Sequence, residues 1–405
     1  MDGRAFSVII KTMNRLRASH RSQFTFLLLL LGVLLGVLLS ACQPAPASAP
    51  TPDINAALTQ AFQTAFAQLQ PTGTPVPTDT PVPAATAVRT PPALPSTFVA
   101  SQLNPLDTPH TYVEDTCQYL HDKWNPNNAA PGTVVMAIMF HGITQEKAER
   151  VHDISKQDFK QLMNDLKEQG FEAINASQLA DFLDHNAKIP ARSVVLIVDD
   201  RHRAESFNEH FRPYHEQWGW QVVNGWISAF GAEDAFLPEN VSLANEGWVD
   251  YQSHGFIHNE NMTDSSTDEF LKQELEGSKE NLEAQFHKTP VAIIWPGGNF
   301  GVRPVQAARQ YGYRIGFTIN PRGPVMFNWI PLAEAQDPAR PIFLPEGYVK
   351  DPRMVLPRYW PYQVQASLDA VRTIGNEAAA YAEQNKATEL EYYDILCAPT
   401  YGTIQ

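Results

Sequence analysis

The sequence predicts an α/β domain built on a parallel sheet in the C-terminal two thirds of this 405-residue chain. From about residue 110, short apolar runs alternate with helix-like segments, and the runs are apolar at nearly every position, as in strands covered on both faces. Acidic and histidine residues directly follow several runs, at the strand ends where α/β barrels gather functional side chains. The alternation extends over about 280 residues, which suits a barrel-like domain.

The predicted elements follow one another in a regular order. Strands are predicted at 134–140, 171–174, 193–198, 221–229, 248–253, 291–295 and 313–319. Helices are predicted at 155–170, 177–186, 205–217, 265–286, 302–311 and 363–388, the first of them with a serine N-cap. Residues 320–350 are Pro-rich and are predicted to be irregular.

The first 42 residues have the pattern of an export signal. Five basic residues up to Arg21 precede an uncharged apolar run over 24–41, and small residues stand before Cys42. Leu39-Ser40-Ala41-Cys42 resembles the lipobox of bacterial lipoproteins, which implies that Cys42 is acylated and becomes the N-terminus. The alternative is a plain transmembrane anchor, because the run is near spanning length. Both interpretations place the rest of the chain outside the cytoplasm, and the first anchors it by lipid to the outer face of the cytoplasmic membrane or to the cell envelope.

Composition divides the chain into three parts. Residues 1–41 are the predicted signal peptide, and 42–109 are the lipidated cysteine and a linker rich in Pro, Thr and Ala. Such a segment cannot bury enough apolar surface to fold, so the linker is predicted to be disordered. Residues 110–405 are the predicted folded domain.

Two cysteines remain in the folded region, Cys117 and Cys397. Thiols outside the cytoplasm can oxidise, and these two flank nearly the whole domain. We predict a Cys117–Cys397 disulfide, with two buried free thiols as the alternative. The formal net charge of −14 argues against a nucleic-acid binder, which would present a basic face.

Three motifs follow predicted strands and carry candidate chemistry. Adjacent carboxylates, Asp199 and Asp200, can divide the tasks of base and metal ligand, although such a pair alone is more often a solvated turn. His254 and His258 are four residues apart and can converge on one metal if the segment turns helically. Gly297 and its neighbour allow a tight turn with exposed backbone N–H groups that can stabilise an oxyanion.

In this order the motifs resemble the NodB-homology domain of polysaccharide deacetylases, over residues 134–320. Phe140-His141-Gly142-Ile143 resembles the opening motif of the family, and residues 189–196 resemble the run into its aspartate pair. The resemblance implies a distorted (β/α)7 barrel. It also implies that Asp199 is the general base and that the N–H of Gly297 faces the oxyanion. The implied ligands of one divalent metal are Asp200, His254 and His258. The implied metal is zinc, with cobalt or nickel as alternatives.

The sequence departs from the family pattern in three places. Arg201 follows the aspartate pair where the family usually has Gly, and Ile294 stands where it usually has Arg. No histidine follows His287, so the usual late general acid is absent, and His141 is the predicted substitute, with His202 as the alternative. Three further residues are candidates for substrate binding. They are Arg201, Trp295 and Arg358. The alternatives are a narrowed site or a pair with Asp199 for the first arginine, core packing for the tryptophan, and contact with the base for the last arginine.

The predicted function is metal-dependent removal of N-acetyl or O-acetyl groups from a cell-envelope or extracellular polysaccharide. The first alternative is a degenerate relative that binds glycan or metal without turnover. The second is an unrelated metal-site hydrolase or a structural lipoprotein. The expected partners are an acetylated polysaccharide and, through the lipid anchor, a membrane.

Overall fold

Seven parallel strands form the central curled sheet of this protein in a computed structural model, which describes residues 89–404 except 146, 147, 149, 151, 230–233 and 339. The predicted signal peptide, Cys42 and most of the predicted linker lie outside the described residues. Within the described part, no helix combines the length and the apolar character needed to cross a membrane.

The described strands and helices are numbered in chain order. The strands are β1 (Asp107–His110), β2 (Val134–Phe140), β3 (Gly142–Thr144), β4 (Asp153–Ser155), β5 (Glu172–Ala173), β6 (Arg192–Val198), β7 (Val222–Trp226), β8 (Val249–Ser253), β9 (Ala292–Ile294), β10 (Ile315–Phe317) and β11 (Ile330–Ala333). The helices are α1 (Thr116–Trp124), α2 (Lys156–Glu168), α3 (Ala176–His185), α4 (Ala204–His210), α5 (Arg212–Trp218), α6 (Leu237–Asn245), α7 (Asp268–Lys272), α8 (Ser278–Phe286), α9 (Val302–Gln310), α10 (Pro361–Tyr392) and α11 (Ala398–Tyr401).

The central sheet has the order β10-β9-β8-β7-β6-β2. Strand β5 pairs with the first residues of β6, and β7 pairs with its last residues. All of its pairings are parallel. All seven residues of β2 are buried, and all but Met139 alternate between two apolar clusters, one on each face. The sheet is therefore covered on both faces, which is why its strands are apolar throughout and not at every second position.

A short segment connects the two edges of the sheet. Leu356 exchanges backbone hydrogen bonds with Gly316 and Thr318 at the end of β10, at 2.7 and 2.9 Å. Tyr359 does the same with β2, at 2.8 and 3.0 Å. The predicted (β/α)7 barrel is thus a curled sheet bridged by residues 356–359, which form no regular strand, and the α/β fold class is confirmed.

The folded part begins earlier in the chain than the predicted boundary at residue 110. Strand β1 pairs antiparallel with β11, and the Trp329 indole N–H donates to the Phe98 carbonyl at 2.9 Å. The predicted linker over 42–109 is therefore wrong for its last residues. The proline-rich composition hides this because the apolar residues that anchor the segment are too widely spaced to form a periodic pattern.

The predicted helices are largely present, with local differences. Predicted helix 205–217 is two helices, α4 and α5, because Pro213 has no N–H to donate to the preceding turn. Predicted helix 265–286 begins at Asp268 and contains a π-helical turn over Gln273–Gly277. Helix α3 begins with a capping box between Asn175 and Gln178, which satisfies two otherwise free backbone N–H groups.

A disulfide joins the two ends of the domain. Cys117 in α1 is bonded to Cys397 at the end of a π-helical turn, 280 residues away. Around the bond, Leu120, Tyr393 and Cys397 form a small apolar cluster separate from the two clusters of the sheet. The first and last helices of the described domain are therefore attached to each other.

Candidate active site

Asp199 lies at the carboxyl end of β6 and is only 2 % exposed. Its backbone N–H donates to the Phe140 carbonyl at 2.8 Å, so the parallel pairing of β2 and β6 fixes the start of the loop. Burial on its own would raise the pKa of Asp199, but the charges of Arg358, His254 and His141 outweigh it and hold the pKa below its usual value. The carboxylate is therefore ionised at neutral pH and available as a base.

Arg358, in the segment that bridges the sheet edges, is the direct partner of Asp199. Its Nη1 donates to Asp199 Oδ1 at 2.5 Å, and its Nε donates to the Thr318 carbonyl at 2.6 Å. Because its side chain is fully buried, it has no surface to offer a ligand. The prediction that Arg358 binds substrate is wrong, and the alternative, contact with the base, is what the structure shows.

Asp200, His254 and His258 form a group with the donor atoms of a metal site. Each offers one ligand atom, and these atoms lie within 4.8 Å of one another. The Nδ1 of His254 lies 2.7 Å from the Ile294 carbonyl, which accepts the ring N–H and leaves Nε2 with a lone pair, 3.6 Å from Asp200 Oδ1. Two imidazoles and one carboxylate are a donor set that suits a divalent transition metal with open positions. The residues present therefore fit a metal ion.

The backbone at two of these residues is unusual. Asp200 and His258 have φ values of +69° and +60°, in a region that residues other than glycine rarely occupy. Such conformations cost free energy and persist where the surroundings enforce them, commonly at functional sites. Here they turn both side chains toward His254.

A buried glutamate, Glu274, holds the loop that carries His258 and was not predicted. It lies in the π-helical turn, and its carboxylate accepts hydrogen bonds from the backbone N–H groups of Phe256, Ile257 and His258 at 2.8, 3.0 and 3.4 Å. A Cβ atom on Gly255 would lie 2.5 Å from the same carboxylate, and the φ of Gly255 is +84°. No local sequence pattern indicates this contact, because it joins a loop to a helix 16 to 18 residues further along.

The turn after β9 has the form expected of an oxyanion site. Gly297 is exposed in a short 3₁₀ turn over Pro296–Gly298, with φ +60° and ψ 10°. A Cβ atom there would lie 2.6 Å from Asn261 Oδ1, and the left-handed backbone conformation favours glycine at this position.

His141 lies beside the base at the carboxyl end of β2. Its Nε2 is 3.7 Å from Asp199 Oδ2, and its ring stacks on Trp360 with centroids 5.3 Å apart. Burial lowers its pKa, against the opposing effect of Asp199. His202, the alternative acid, also has its pKa lowered by burial. Of the two histidines, His141 is the one whose Nε2 lies close to the Asp199 carboxylate.

The other two residues predicted to bind substrate are engaged elsewhere. The Arg201 guanidinium pairs with Asp234 and lies 4.5 Å from the centroid of the Trp226 ring, and its side chain is only 10 % exposed. Trp295 is completely buried, and its indole N–H donates to the Met354 carbonyl at 2.7 Å. The prediction for Trp295 is wrong, because a tryptophan with no exposed surface cannot stack on a sugar, and core packing, the alternative, is observed.

Comparison with known families agrees with this arrangement. The family model described as polysaccharide deacetylase matches residues 187–316, a segment that holds the aspartate pair, both histidines and the glycine turn. This segment is a polysaccharide deacetylase domain. Members of that family are generally metal-dependent, and His141 and Arg358 lie outside the matched segment of the deacetylase domain.

Individual relatives of the deacetylase domain are distant. One relative is YxkH of Bacillus subtilis (strain 168), which bears the name of a polysaccharide deacetylase. It is 23% identical to this chain over 185 residues, which are 45% of this chain and 64% of YxkH. The match therefore spans less than two thirds of the length of YxkH. The deacetylase PplD of Streptococcus pyogenes, solved with acetate, has a TM-score of 0.46 and 17% identity over 59% of this chain and 99% of its own. The polysaccharide deacetylase BC0361 of Bacillus cereus has a TM-score of 0.43 and 19% identity over 58% and 69%.

Proposed function

We propose that this protein hydrolyses acetyl groups, N-linked or O-linked, from a cell-envelope or extracellular polysaccharide with the help of one divalent metal ion. One observation carries the proposal. A buried carboxylate whose lowered pKa keeps it ionised, Asp199, lies directly beside a group of three metal-ligand side chains, Asp200, His254 and His258. A base next to a metal site at the rim of an α/β sheet is the arrangement that hydrolysis of an amide or ester needs.

Asp200, His254 and His258 would hold the metal, and we propose zinc, with cobalt and nickel also compatible with this donor set. When bound, such an ion supplies Lewis acidity and makes a water molecule easier to deprotonate. The chain itself fixes the ligands beforehand, since Ile294 sets the tautomer of His254 and Glu274 holds the loop of His258.

Asp199 and His141 move the proton in this proposal. Asp199 takes a proton from the attacking water as the new carbon–oxygen bond forms. His141 gives a proton to the nitrogen or oxygen of the sugar as its bond to the acetyl carbon breaks. Because the two side chains are 3.7 Å apart, the proton taken by Asp199 has a short path to the imidazole. This path would let a histidine with a lowered pKa act as the acid.

The N–H of Gly297 would donate a hydrogen bond to the oxygen of the acetyl carbonyl as negative charge develops on it. The glycine turn supports this role because Gly297 is exposed and its left-handed conformation favours a residue without a Cβ atom.

The test is acetate release by the full-length chain loaded with zinc or cobalt. The substrates are N-acetylglucosamine oligomers, peptidoglycan and acetylated xylan, and the control variants are Asp199→Asn and His254→Ala. We expect the wild type to release acetate. The Asp199→Asn variant should release none but should still bind one metal ion per chain. The His254→Ala variant should lose both acetate release and the metal. If the His254→Ala variant kept its activity, the metal assignment would be wrong.

The same experiment addresses the alternative of a degenerate relative. One bound metal ion per chain with no acetate release from any substrate would indicate a glycan-binding protein that has lost its chemistry. The Arg358–Asp199 contact supports the proposal of an active enzyme. Ile294 stands at the usual arginine position, and Arg358 gives the base an arginine partner from another part of the chain.

We also propose that the chain is lipid-anchored through Cys42 on the outer face of the bacterial cytoplasmic membrane or in the cell envelope. The lipobox-like sequence at residues 39–42 supports the anchor, and a disulfide suits an oxidising compartment. Mass spectrometry of the N-terminal peptide tests the proposal. Acylation of Cys42 is expected, and a Cys42→Ser variant should leave the membrane fraction.

A further inference from the structure

A cavity of about 170 Å³ lies beside the amino end of β2, away from the candidate active site. Thr133 in its lining directly precedes β2, whereas the candidate active site lies at the carboxyl ends of β6, β8 and β9. Most of the cavity wall comes from residues 94–98, helices α1 and α10, and the turn over 326–329. The cavity is open on one side, so a ligand can enter it while the domain stays folded.

Four half-buried aromatic side chains line this cavity in two pairs. The rings of Phe98 and Tyr381 have centroids 5.6 Å apart, and those of Tyr119 and Phe327 are 5.9 Å apart. Because none of the four is fully covered by the rest of the protein, a ligand in the cavity would remove further aromatic surface from water. The lining is mainly apolar, as it is in most small-molecule sites.

The polar side chains of the lining are bonded to the protein itself. The Tyr381 hydroxyl and the Trp329 indole N–H donate to backbone carbonyls of residues 96–98, at 2.7 and 2.9 Å. The carboxylate of Glu389 pairs with Lys123 at 2.7 Å. In the lining, all of which the structure describes, no buried side-chain nitrogen or oxygen is without a hydrogen-bond partner. A cavity of this kind favours an apolar ligand over water, and about 150 Å³ is enough to hold a group the size of benzene.

The place of the cavity in the chain indicates which apolar ligand is near it. Its wall over 94–98 belongs to the first described residues, and the sequence before them leads back to Cys42, the proposed site of lipid attachment. Val99, directly after this wall, is 67 % exposed and adds apolar surface beside it. A chain attached to a membrane at Cys42 is held where the alkyl chains of lipids are the most abundant apolar groups, and the attachment raises their effective concentration at the domain.

We infer that this cavity, named here the Trp329 cavity, binds an alkyl chain of a membrane phospholipid. The choice of ligand rests on the proposed lipid anchor, and the site itself goes beyond the proposed hydrolysis. Every residue of the lining lies outside the matched deacetylase segment, so no part of that segment forms the site. A lipid held at the amino end of β2 would direct the carboxyl ends of the strands, and with them the candidate active site, away from the membrane.

Photo-crosslinking in membranes tests the inference. The full-length protein is reconstituted into vesicles of phosphatidylethanolamine and phosphatidylglycerol in which one acyl chain carries a diazirine. After irradiation, mass spectrometry identifies the labelled peptides. The Ala378→Leu variant fills the cavity from α10, and Ala380→Leu, at an exposed position of the same helix outside the lining, is the matched control.

A second pair of variants covers the case in which the larger side chain impairs folding. Leu94→Asp places a charge in the half-buried wall of the cavity, and Val99→Asp places the same charge on the exposed neighbouring residue that does not line it. Near-ultraviolet circular dichroism of each variant reports whether its aromatic packing is native. Acetate release from soluble N-acetylglucosamine oligomers is measured on the same proteins.

We expect labelled peptides from the walls over 94–98 and 326–329 in the wild type and in both controls. Labelling there should fall roughly tenfold or more in Ala378→Leu and in Leu94→Asp, with acetate release unchanged. Labels confined to residues before 89, or wall labelling that a natively packed Ala378→Leu or Leu94→Asp variant retains, would overturn the inference and leave the proposed hydrolysis intact. Wall labelling that depends on the cavity, with acetate release from none of the proteins, would overturn the hydrolysis and leave the lipid site. The mass of the N-terminal peptide in the same digest reports the anchor separately.

Discussion

At the scale of single residues, the proposed hydrolysis depends on how the buried carboxylate of Asp199 is kept charged. Asp199 has lost its water, and a buried unpaired carboxylate would take up a proton. Arg358 prevents this by placing a fully buried guanidinium against it. Arg358 is thus a positioning residue, because it acts on Asp199 and has no surface facing the site.

Replacing Arg358 by lysine tests that role. We expect kcat to fall about 100-fold, because a lysine cannot contact both Asp199 and the Thr318 carbonyl with a rigid planar group. The bound metal per chain and KM should change little. Arg372→Lys, at an exposed ion pair, is the matched control and should behave as the wild type. Loss of the metal together with activity would indicate instead that Arg358 maintains the whole site.

At the scale of elements, the positions of the proposed metal ligands depend on contacts between loops and helices. His254 follows β8 and is bonded to the carbonyl of Ile294 in β9, so two neighbouring strands set its ring. His258 depends on the π-helical turn, whose Glu274 accepts from the backbone of its loop. A π-turn inside a helix often marks a functional place, because it redirects one side chain.

Glu274→Gln should weaken metal binding about 10- to 100-fold, since an amide accepts the three loop N–H groups less well than a carboxylate does. Titration of the metal-free protein with zinc, followed by calorimetry, gives the Kd directly. Glu276→Gln changes a neighbouring glutamate of the same turn, which pairs with Lys272, and should leave the Kd unchanged. Equal Kd values for both variants would show that the loop does not need this anchor.

A second charged group surrounds Asp107 of β1, away from the motifs. One guanidinium, Arg322, pairs with Asp107, Glu346 and Asp337. Burial, together with the neighbouring carboxylates, raises the pKa of Asp107 to about 7 in spite of Arg322. The folded protein therefore holds a proton that the unfolded chain releases above about pH 4.

The consequence is a pH dependence of the free energy of unfolding. The contribution of Asp107 is fully present below the unfolded pKa, near 3.8, and is lost as the pH rises through about 7. In denaturant unfolding experiments, Asp107→Asn should remove this contribution, so that its stability relative to the wild type improves as the pH rises from 4 to 7, while Asp369→Asn, an exposed control, should follow the wild type. A difference between Asp107→Asn and wild type that stays constant over this range would contradict the assignment.

At the scale of the whole molecule, two contacts join the beginning of the described domain to its later parts. Strand β1 pairs with β11, and the disulfide joins α1 to the last residues. In the chain-entropy account, closing so long a loop stabilises the folded state by up to about 5 kcal/mol.

The Cys117→Ser/Cys397→Ser variant should lower the free energy of unfolding by about 2 to 5 kcal/mol. Its Tm should match that of the wild type in excess dithiothreitol, which serves as the control because it breaks the same bond without changing the composition. An unchanged Tm in both would show that the packing of the ends alone holds them.

The sequence by itself determined the α/β class, the main strands and the residues at their carboxyl ends. These properties are local, since an apolar run and the side chain that follows it are adjacent in the sequence. Asp199, Asp200, His254, His258 and Gly297 could therefore be located without a structure, and the structure brings Asp200, His254 and His258 together.

Only the tertiary structure decided what those residues contact. Arg358 is 159 residues from Asp199, and Trp295 could not be distinguished from a sugar-binding tryptophan until its burial was known. The anchoring of His258 by Glu274 and the pairing of β1 with β11 likewise join distant parts of the chain. Such contacts arise from the packing of elements against one another, and periodicity along the sequence carries no information about them.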